Sequence, residues 1–232
     1  MDECVKLTLE DNYLLITIDN GKANAISHEV LDAINNCLDL AEQGNKVVII
    51  TGKPGIFSGG FDLKVMKSSP KNALELVTKG SELSLRMLSF PTPIIVACNG
   101  HAIAKGAFLL LSSDYRIGAS GNFKIGLNEV MIGMTMHYAG IAIANSRLSE
   151  VYVNRSVNNA EIYNPEDALT AGFLDKVVPE ESVVPTAIQV AELFNQLNFK
   201  AHRETKLKVR ANSIERLRKA IALDKSESIT LH

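Results

Sequence analysis

Two β-branched runs, Val47–Thr51 and Ile94–Cys98, constrain this chain more than any other feature. Neither alternates polar with apolar residues, so neither can turn one face to water; each reads as a strand buried on both faces. Each run leads into a corner of small residues and then into a helical pattern. The first corner is Phe57-Ser58-Gly59-Gly60-Phe61-Asp62-Leu63-Lys64, and the second is Asn99-Gly100-His101-Ala102-Ile103-Ala104-Lys105-Gly106-Ala107. Small residues at such corners let backbone N–H groups approach a ligand. Two N–H groups from separate loops can converge on one oxygen, and the helix after Gly106 would add its positive end. Either corner alone is explained by turn geometry. Two in one chain, followed by Ile125-Gly126-Leu127-Asn128-Glu129, point toward a binding site.

The flanking pattern gives the architecture. Val5–Leu9 and residues 14–19 alternate and form a hairpin across Glu10-Asp11-Asn12. Ser27 caps a helix with Val30, Leu31, Ile34, Leu38 and Ala41 on one face, and Gly44 ends it. Residues 52–60 read as loop and 62–67 as a short helix. Residues 71–89 form a longer helix with Leu74, Val77, Leu83 and Met87 inward. Asn99-Gly100 reads as a turn, and Gly106 opens an apolar helix through Leu111. Tyr115–Ala119, 122–125 and 174–178 read as strands; 141–148 and Pro165–Ala171 read as helices, the latter closed by Gly172. From Pro185 onward the pattern is helical and amphipathic. The expectation is an α/β core over residues 1–184 and a helical C-terminal region over 185–232.

With 232 residues, the chain is long enough for one large domain. No G-x-G-x-x-G or P-loop sequence is present, so a dinucleotide fold is not favoured. A formal net charge of −2 gives no global attraction to nucleic acid or anionic membrane. The basic run from Lys200 to Lys219 reads as a solvated helix face without aromatic interleaving. Cys4, Cys37 and Cys98 lack metal-ligand spacing and read as reduced thiols, with Cys98 a packed strand residue. Met1-Asp2-Glu3-Cys4 resembles neither a signal nor a transit peptide, and Ile229-Thr230-Leu231-His232 is not a peroxisomal address. The apolar stretch around 107–111 is too short to cross a bilayer. Cytoplasmic location is the expectation, with no metal.

In these corners, and in Lys22-Ala23-Asn24-Ala25, Asp114-Tyr115-Arg116-Ile117, Gly126-Leu127-Asn128-Glu129 and 168–178, the chain resembles the crotonase (enoyl-CoA hydratase/isomerase) superfamily from about residue 5 to 178. The resemblance implies a spiral of ββα units, an acyl-CoA substrate, and assembly as a homotrimer or a dimer of trimers. It implies oxyanion donors at the backbone N–H groups of Phe61 and Lys105. It also implies a CoA site around Lys22, Gly59, Phe61, Asp62 and Lys64, with the Gly59 carbonyl meeting adenine and the lysines meeting phosphates. The substrate's own CoA is the only cofactor implied.

The superfamily's hydratases resemble one another in carrying two glutamates. Here Phe108 stands at the first position and Glu129 at the second. A phenyl ring cannot bind or deprotonate water. One carboxylate suffices to move a proton from C2 of a 3-enoyl-CoA to C4, and the segment around Glu129 looks closest to the Δ3,Δ2-enoyl-CoA isomerases. Burial would raise the Glu129 pKa toward the working range. Lys105 replaces a usual glycine, and its side chain is expected at a solvated surface. His137, near Met134, Met136 and Tyr138, is expected as a packed, hydrogen-bonded residue; facing the acyl pocket with Phe108 as a second titrating group is the alternative. Met66, Met87, Met131, Met134 and Met136 read as core or pocket lining. Three readings stand: an enoyl-CoA isomerase; a hydratase or other enolate-forming lyase with a substitute partner for Glu129; and a non-catalytic acyl-CoA-binding protein.

Overall fold

The computed structural model describes residues 4–227; residues 1–3 and 228–232, which include the C-terminal tetrapeptide Ile229-Thr230-Leu231-His232, lie outside the described residues. The chain opens with a hairpin, β1 (Val5–Leu9) and β2 (Tyr13–Ile18), followed by α1 (His28–Gln43). Ser27 caps α1, accepting from the Val30 N–H, and Val30, Leu31, Ile34, Leu38 and Ala41 are buried as their spacing predicts. Then come β3 (Val47–Thr51), β4 (Gly55–Ser58), α2 (Leu63–Ser68) and α3 (Pro70–Ser89). The next turn contains β5 (Ile94–Cys98), β6 (Gly100–Ile103) and α4 (Lys105–Leu111). After it come β7 (Tyr115–Ala119), β8 (Ile125–Gly126), α5 (Tyr138–Arg147), α6 (Glu150–Val157), β9 (Ile162–Tyr163), α7 (Pro165–Ala171) and β10 (Lys176–Val178). Three helices follow: α8 (Val183–Phe194), α9 (Phe199–Val209) and α10 (Ala211–Ser226).

The strands sort into two sheets, of order β1-β2-β3-β5-β7-β10 and β4-β6-β8-β9. Three successive turns of the chain, β3–β4, β5–β6 and β7–β8, each give one strand to the large sheet and the next to the small one. In the large sheet only β1–β2 is antiparallel; in the small sheet β4, β6 and β8 run parallel. This is the ββα spiral that the resemblance implies. Residues 52–60, expected as loop, contain β4, and Asn99-Gly100 continues into β6 instead of turning. These strands are four residues long and each opens on a glycine, too short to carry a periodic signal; parallel pairing creates them. Leu74 is only half-buried, the inward face being carried by Ala73, Leu76, Val77, Leu83 and Met87.

The continuous runs are buried on both faces. Val48, Ile50, Ile94 and Val96 enter the main core beneath α1 and α3. Val47, Ile49, Ile95 and Ala97 enter a second core with Val183, Ala187 and Ala191 of α8. Full burial of such aliphatic side chains contributes about 1.5–3 kcal/mol each.

The basic run is not wholly a solvated face. Lys206 is buried, bonding Asp114 at 2.7 Å and the carbonyls of Phe90 and Thr92 at 2.9 and 3.1 Å. Arg210 bonds the second Asp114 oxygen at 2.9 Å and the Leu88 carbonyl at 3.0 Å. These two cations fasten α9 to the end of α3 and the start of β5, an inward use that helical spacing of charge does not reveal. Burial lowers the Lys206 pKa, and Asp114 partly restores it. Truncating Asp114→Ala leaves both cations without their carboxylate, so unfolding in urea should show a loss of about 3–5 kcal/mol.

Candidate active site

Strands β4, β6 and β8 are parallel neighbours, so the segments leaving their C-terminal ends emerge side by side. Such ends are where α/β sheets gather ligand-binding loops. The Ala104 N–H donates to the Gly126 carbonyl at 2.9 Å, joining the second and third segments. Gly60, at φ +100, joins the first: a Cβ there would lie 2.9 Å from the Ala104 Cβ, 3.2 Å from the Ile103 carbonyl and 3.6 Å from the Lys105 N. Only glycine allows that approach. Ala104 itself sits at φ +52 and ψ −118, a sparsely populated conformation for a residue with a Cβ. The sequence carries no sign of that strain.

This crossing places the Lys105 N–H next to the Gly60–Phe61 peptide. Lys105 is the first residue of α4, so its N–H lacks an intrahelical acceptor. The neighbouring peptides are engaged: Ile26 donates to the Gly60 carbonyl at 2.8 Å and Asp62 donates to the Ile26 carbonyl at 3.0 Å. These bonds fix the plane of the Phe61 amide from both sides. With seven residues, α4 is too short to add much of a helix dipole, so the individual N–H groups carry the electrostatics.

The first corner also meets the loop before α1. Gly59 donates to the Ala23 carbonyl at 2.9 Å, and a Cβ on Gly59 would lie 2.9 Å from that oxygen. Asn24, fully buried at φ +50, donates to the carbonyls of Ile18 and Phe57 at 2.9 and 2.8 Å. Lys22 and Lys64 flank this junction, and both are exposed. The Asp62 carboxylate accepts from the Lys64 N–H at 2.8 Å as the cap of α2, a structural task beside the CoA-binding one the resemblance implies.

Glu129 follows β8 by three residues and precedes a 3-10 turn, Val130–Ile132. It is 4% exposed, and its Oε2 has no hydrogen-bond partner. Burial raises its pKa to about 7, with its own backbone N–H opposing weakly. No cation balances it among the causes of that shift. An unpaired buried carboxylate is a costly group to retain, and it is poised for proton transfer near neutrality.

Phe108 and His137 pack edge to face, with ring centroids 5.6 Å apart. A Cβ on Gly140 would lie 2.8 Å from the Met136 sulfur, 2.8 Å from Phe108 Cζ and 2.9 Å from His137 Cε1, so the three side chains close on one point. His137 is packed and buried as expected, but its Nδ1 has no hydrogen-bond partner. Burial first, and Lys105 second, push its pKa down to about 3, so the imidazole is neutral. Met66, Met87, Met134 and Met136 are buried, whereas Met131 is 66% exposed. A cleft of about 440 Å³ is lined by Val130, the residue after Glu129, and by Met134, Met136, Ile141 and Val157 among others. Larger space, about 520 Å³ between α8 and α9, shares no residue with this site.

The Lys105 side chain is not solvated. It is 2% exposed and lies on α3, against Gly80 and Ser84. Sequence reading missed those two residues, although a glycine within a strong helical pattern is itself a sign of close packing. Cys98 is fully buried, donates to the Gly100 carbonyl at 3.2 Å, and has its pKa pushed up to about 12, which suits a packed thiol. Among the described residues no group of acids, histidines and cysteines could hold a metal, and no helix is long and apolar enough to cross a membrane.

The family described as enoyl-CoA hydratase/isomerase matches residues 8–229. A probable enoyl-CoA hydratase of Bacillus subtilis is 30% identical over 184 residues, 78% of this chain and 71% of that one. Human mitochondrial enoyl-CoA delta isomerase 1 is 29% identical over 203 residues, 85% of this chain and 67% of its own length. The crystal structure of an enoyl-CoA hydratase/isomerase family protein from Pseudomonas syringae superposes with a TM-score of 0.96 at 55% identity, covering 97% of this chain and 98% of that one.

The Glu129 environment has a consequence for stability. Between the ordinary glutamate value of 4.5 and about 7, the folded chain holds a proton that the unfolded chain has lost. Stability contributed by this group therefore falls as pH rises through that window, by about 3 kcal/mol in full. Glu129→Gln removes the penalty. Thermal unfolding should show the variant several degrees more stable than wild type at pH 8 and no more stable at pH 4.5.

Proposed function

This chain belongs to the enoyl-CoA hydratase/isomerase family of crotonase-type enzymes, and from that premise we propose that it shifts the double bond of 3-enoyl-CoA esters to the 2-position. The observation that carries this reading is the pairing of one buried carboxylate at Glu129, whose Oε2 has no hydrogen-bond partner, with a phenyl ring at Phe108. The thioester oxygen sits between the N–H groups of Phe61 and Lys105. The Glu129 carboxylate takes a proton from C2, and the electron pair moves into the carbonyl to give a dienolate. The two N–H groups hold the developing oxyanion, an effect for which loss of one donor typically costs ~100–1,000-fold. The protonated Glu129 then returns its proton to C4, leaving the 2-enoyl ester and the original carboxylate. No water is consumed, and CoA enters only as part of the substrate.

A pKa of about 7 suits a group that must first accept and then donate the same proton. The hydratase reading rests on the unpartnered Nδ1 of His137 as a substitute partner for Glu129. An imidazole whose pKa lies near 3 is a weak base, which favours isomerisation. The exposed lysines 22 and 64, on either side of Gly59, fit the phosphates of CoA. Assembly as a homotrimer or a dimer of trimers and a cytoplasmic location belong to the same proposal.

Turnover of 3-enoyl-CoA, followed as a gain in 2-enoyl thioester absorbance, should fall ~100–10,000-fold in Glu129→Gln. Unchanged turnover would remove Glu129 from the mechanism. For wild type, kcat/KM should rise tenfold per pH unit below about 7 as Glu129 ionises. In Phe108→Glu, loss of 2-enoyl absorbance through hydration should appear where wild type shows little; its absence counts against the single-acid account.

A further inference from the structure

One buried ionisable group has no task in that mechanism. The Lys105 side chain crosses from the β6–α4 corner to α3, where its ammonium donates to the Gly80 carbonyl at 2.5 Å and to the Ser84 hydroxyl at 2.7 Å. The Phe61 ring reaches the same place. A Cβ on Gly80 would lie 2.5 Å from Phe61 Cζ, 2.6 Å from Phe61 Cε1 and 3.3 Å from Lys105 Cε. The two residues that offer their N–H groups to the thioester thus seat both side chains on one glycine of α3. Glycine is unfavourable inside a helix, and here it sits in the middle of a 20-residue one. The close approach of two side chains accounts for it.

We propose that Gly80 and Ser84 hold the Lys105 ammonium within field range, about 10 Å or less, of the thioester oxygen, so that its charge stabilises the enolate in addition to its own backbone N–H. The inference rests on the reading of the site given above. The side chain spans about 6 Å from Cα to Nζ when extended, which places the ammonium within about 10 Å of any oxygen bound by the Lys105 N–H. At that range and an effective dielectric constant of about 20, a full charge changes the rate by about tenfold. Among the described residues no carboxylate bonds the ammonium, and Glu129, the acid at the same thioester, has taken the C2 proton and is neutral when the enolate is present. The groups facing it are the Gly80 carbonyl and the Ser84 hydroxyl from α3, and His137 from the segment before α5, which is neutral. Burial is the cause of the Lys105 shift, to about 7, so the ammonium is partly populated at neutrality and an enolate beside it favours the protonated form. Lys105 acts here as a positioning and field residue through its side chain, distinct from the contact its backbone makes.

The test reads carbonyl polarisation without turnover. An aromatic 2-enoyl-CoA ester, whose absorbance moves to the red as its thioester carbonyl is polarised, is bound to Glu129→Gln. The red shift should be larger at pH 6 than at pH 9, with a midpoint near 7. Adding Lys105→Met should shrink the shift and abolish its pH dependence. Adding Ser84→Ala, which removes one acceptor of the ammonium, should move the midpoint to lower pH. In the Glu129-containing enzyme, Lys105→Met should lower kcat about tenfold with KM little changed. A full, pH-dependent red shift in Lys105→Met overturns the proposal; if that variant does not fold, an unmoved midpoint in Ser84→Ala overturns it. A Lys105-dependent shift together with undiminished 3-enoyl turnover by Glu129→Gln leaves this inference standing and removes the acid/base role of Glu129. Bound ester with no red shift in any of the proteins overturns both readings.

Discussion

The site depends on the crossing of three chain segments at the C-terminal ends of β4, β6 and β8. Gly60 lies against Ala104, and the Ala104 N–H is bound to the Gly126 carbonyl at 2.9 Å. Each contact is made by backbone or by a group no larger than a methyl, so there is little slack. A side chain at position 60 would collide with the Ala104 methyl and crowd the Ile103 carbonyl. Loss of the bond to Gly126 would free the segment that carries Glu129. The positive φ at Ala104 is consistent with a backbone held by its surroundings, since the residue alone would not adopt it.

Buried charge in this chain follows two different rules. Asp114, Lys206 and Arg210 are desolvated but paired, and their bonds reach further carbonyls at the end of α3 and in the turn after it. That arrangement returns part of the desolvation cost and fixes the C-terminal helices. Arg116 and Asp175 do the same between β7 and the start of β10, with bonds of 2.6–2.9 Å. Glu129 and Lys105 are buried without an opposite charge, and each titrates near neutrality for that reason. Groups of the first kind hold the fold; groups of the second kind cost stability and are suited to proton and charge chemistry.

The second face of the large sheet explains why α8 belongs with the spiral. Alternate residues of β3 and β5 point to opposite sides, and α8 supplies the small side chains Ala187 and Ala191 that let it lie close against the outer side. On the other side α1, α3 and α4 enter the main core, together with residues of α5, α7 and α10. A rigid sheet buried on both faces gives the loops at its neighbour's strand ends a fixed platform.

The sequence alone determined a good deal. The strands β3 and β5, the amphipathic face of α1, the Gly172 stop after α7, the family, and the replacement of a carboxylate by Phe108 are all local: they depend on residue type and on spacing along the chain. What it did not show depends on neighbours far away in the chain. β4 and β6 are too short to announce themselves, and only parallel pairing makes them strands. Lys105 and Lys206 read as surface lysines because nothing nearby in sequence hides them; α3, at 25 residues' distance, hides the first. Tertiary structure decided which ionisable groups lose their water and which find partners, and that is a property of packing between segments, where a linear pattern holds no information.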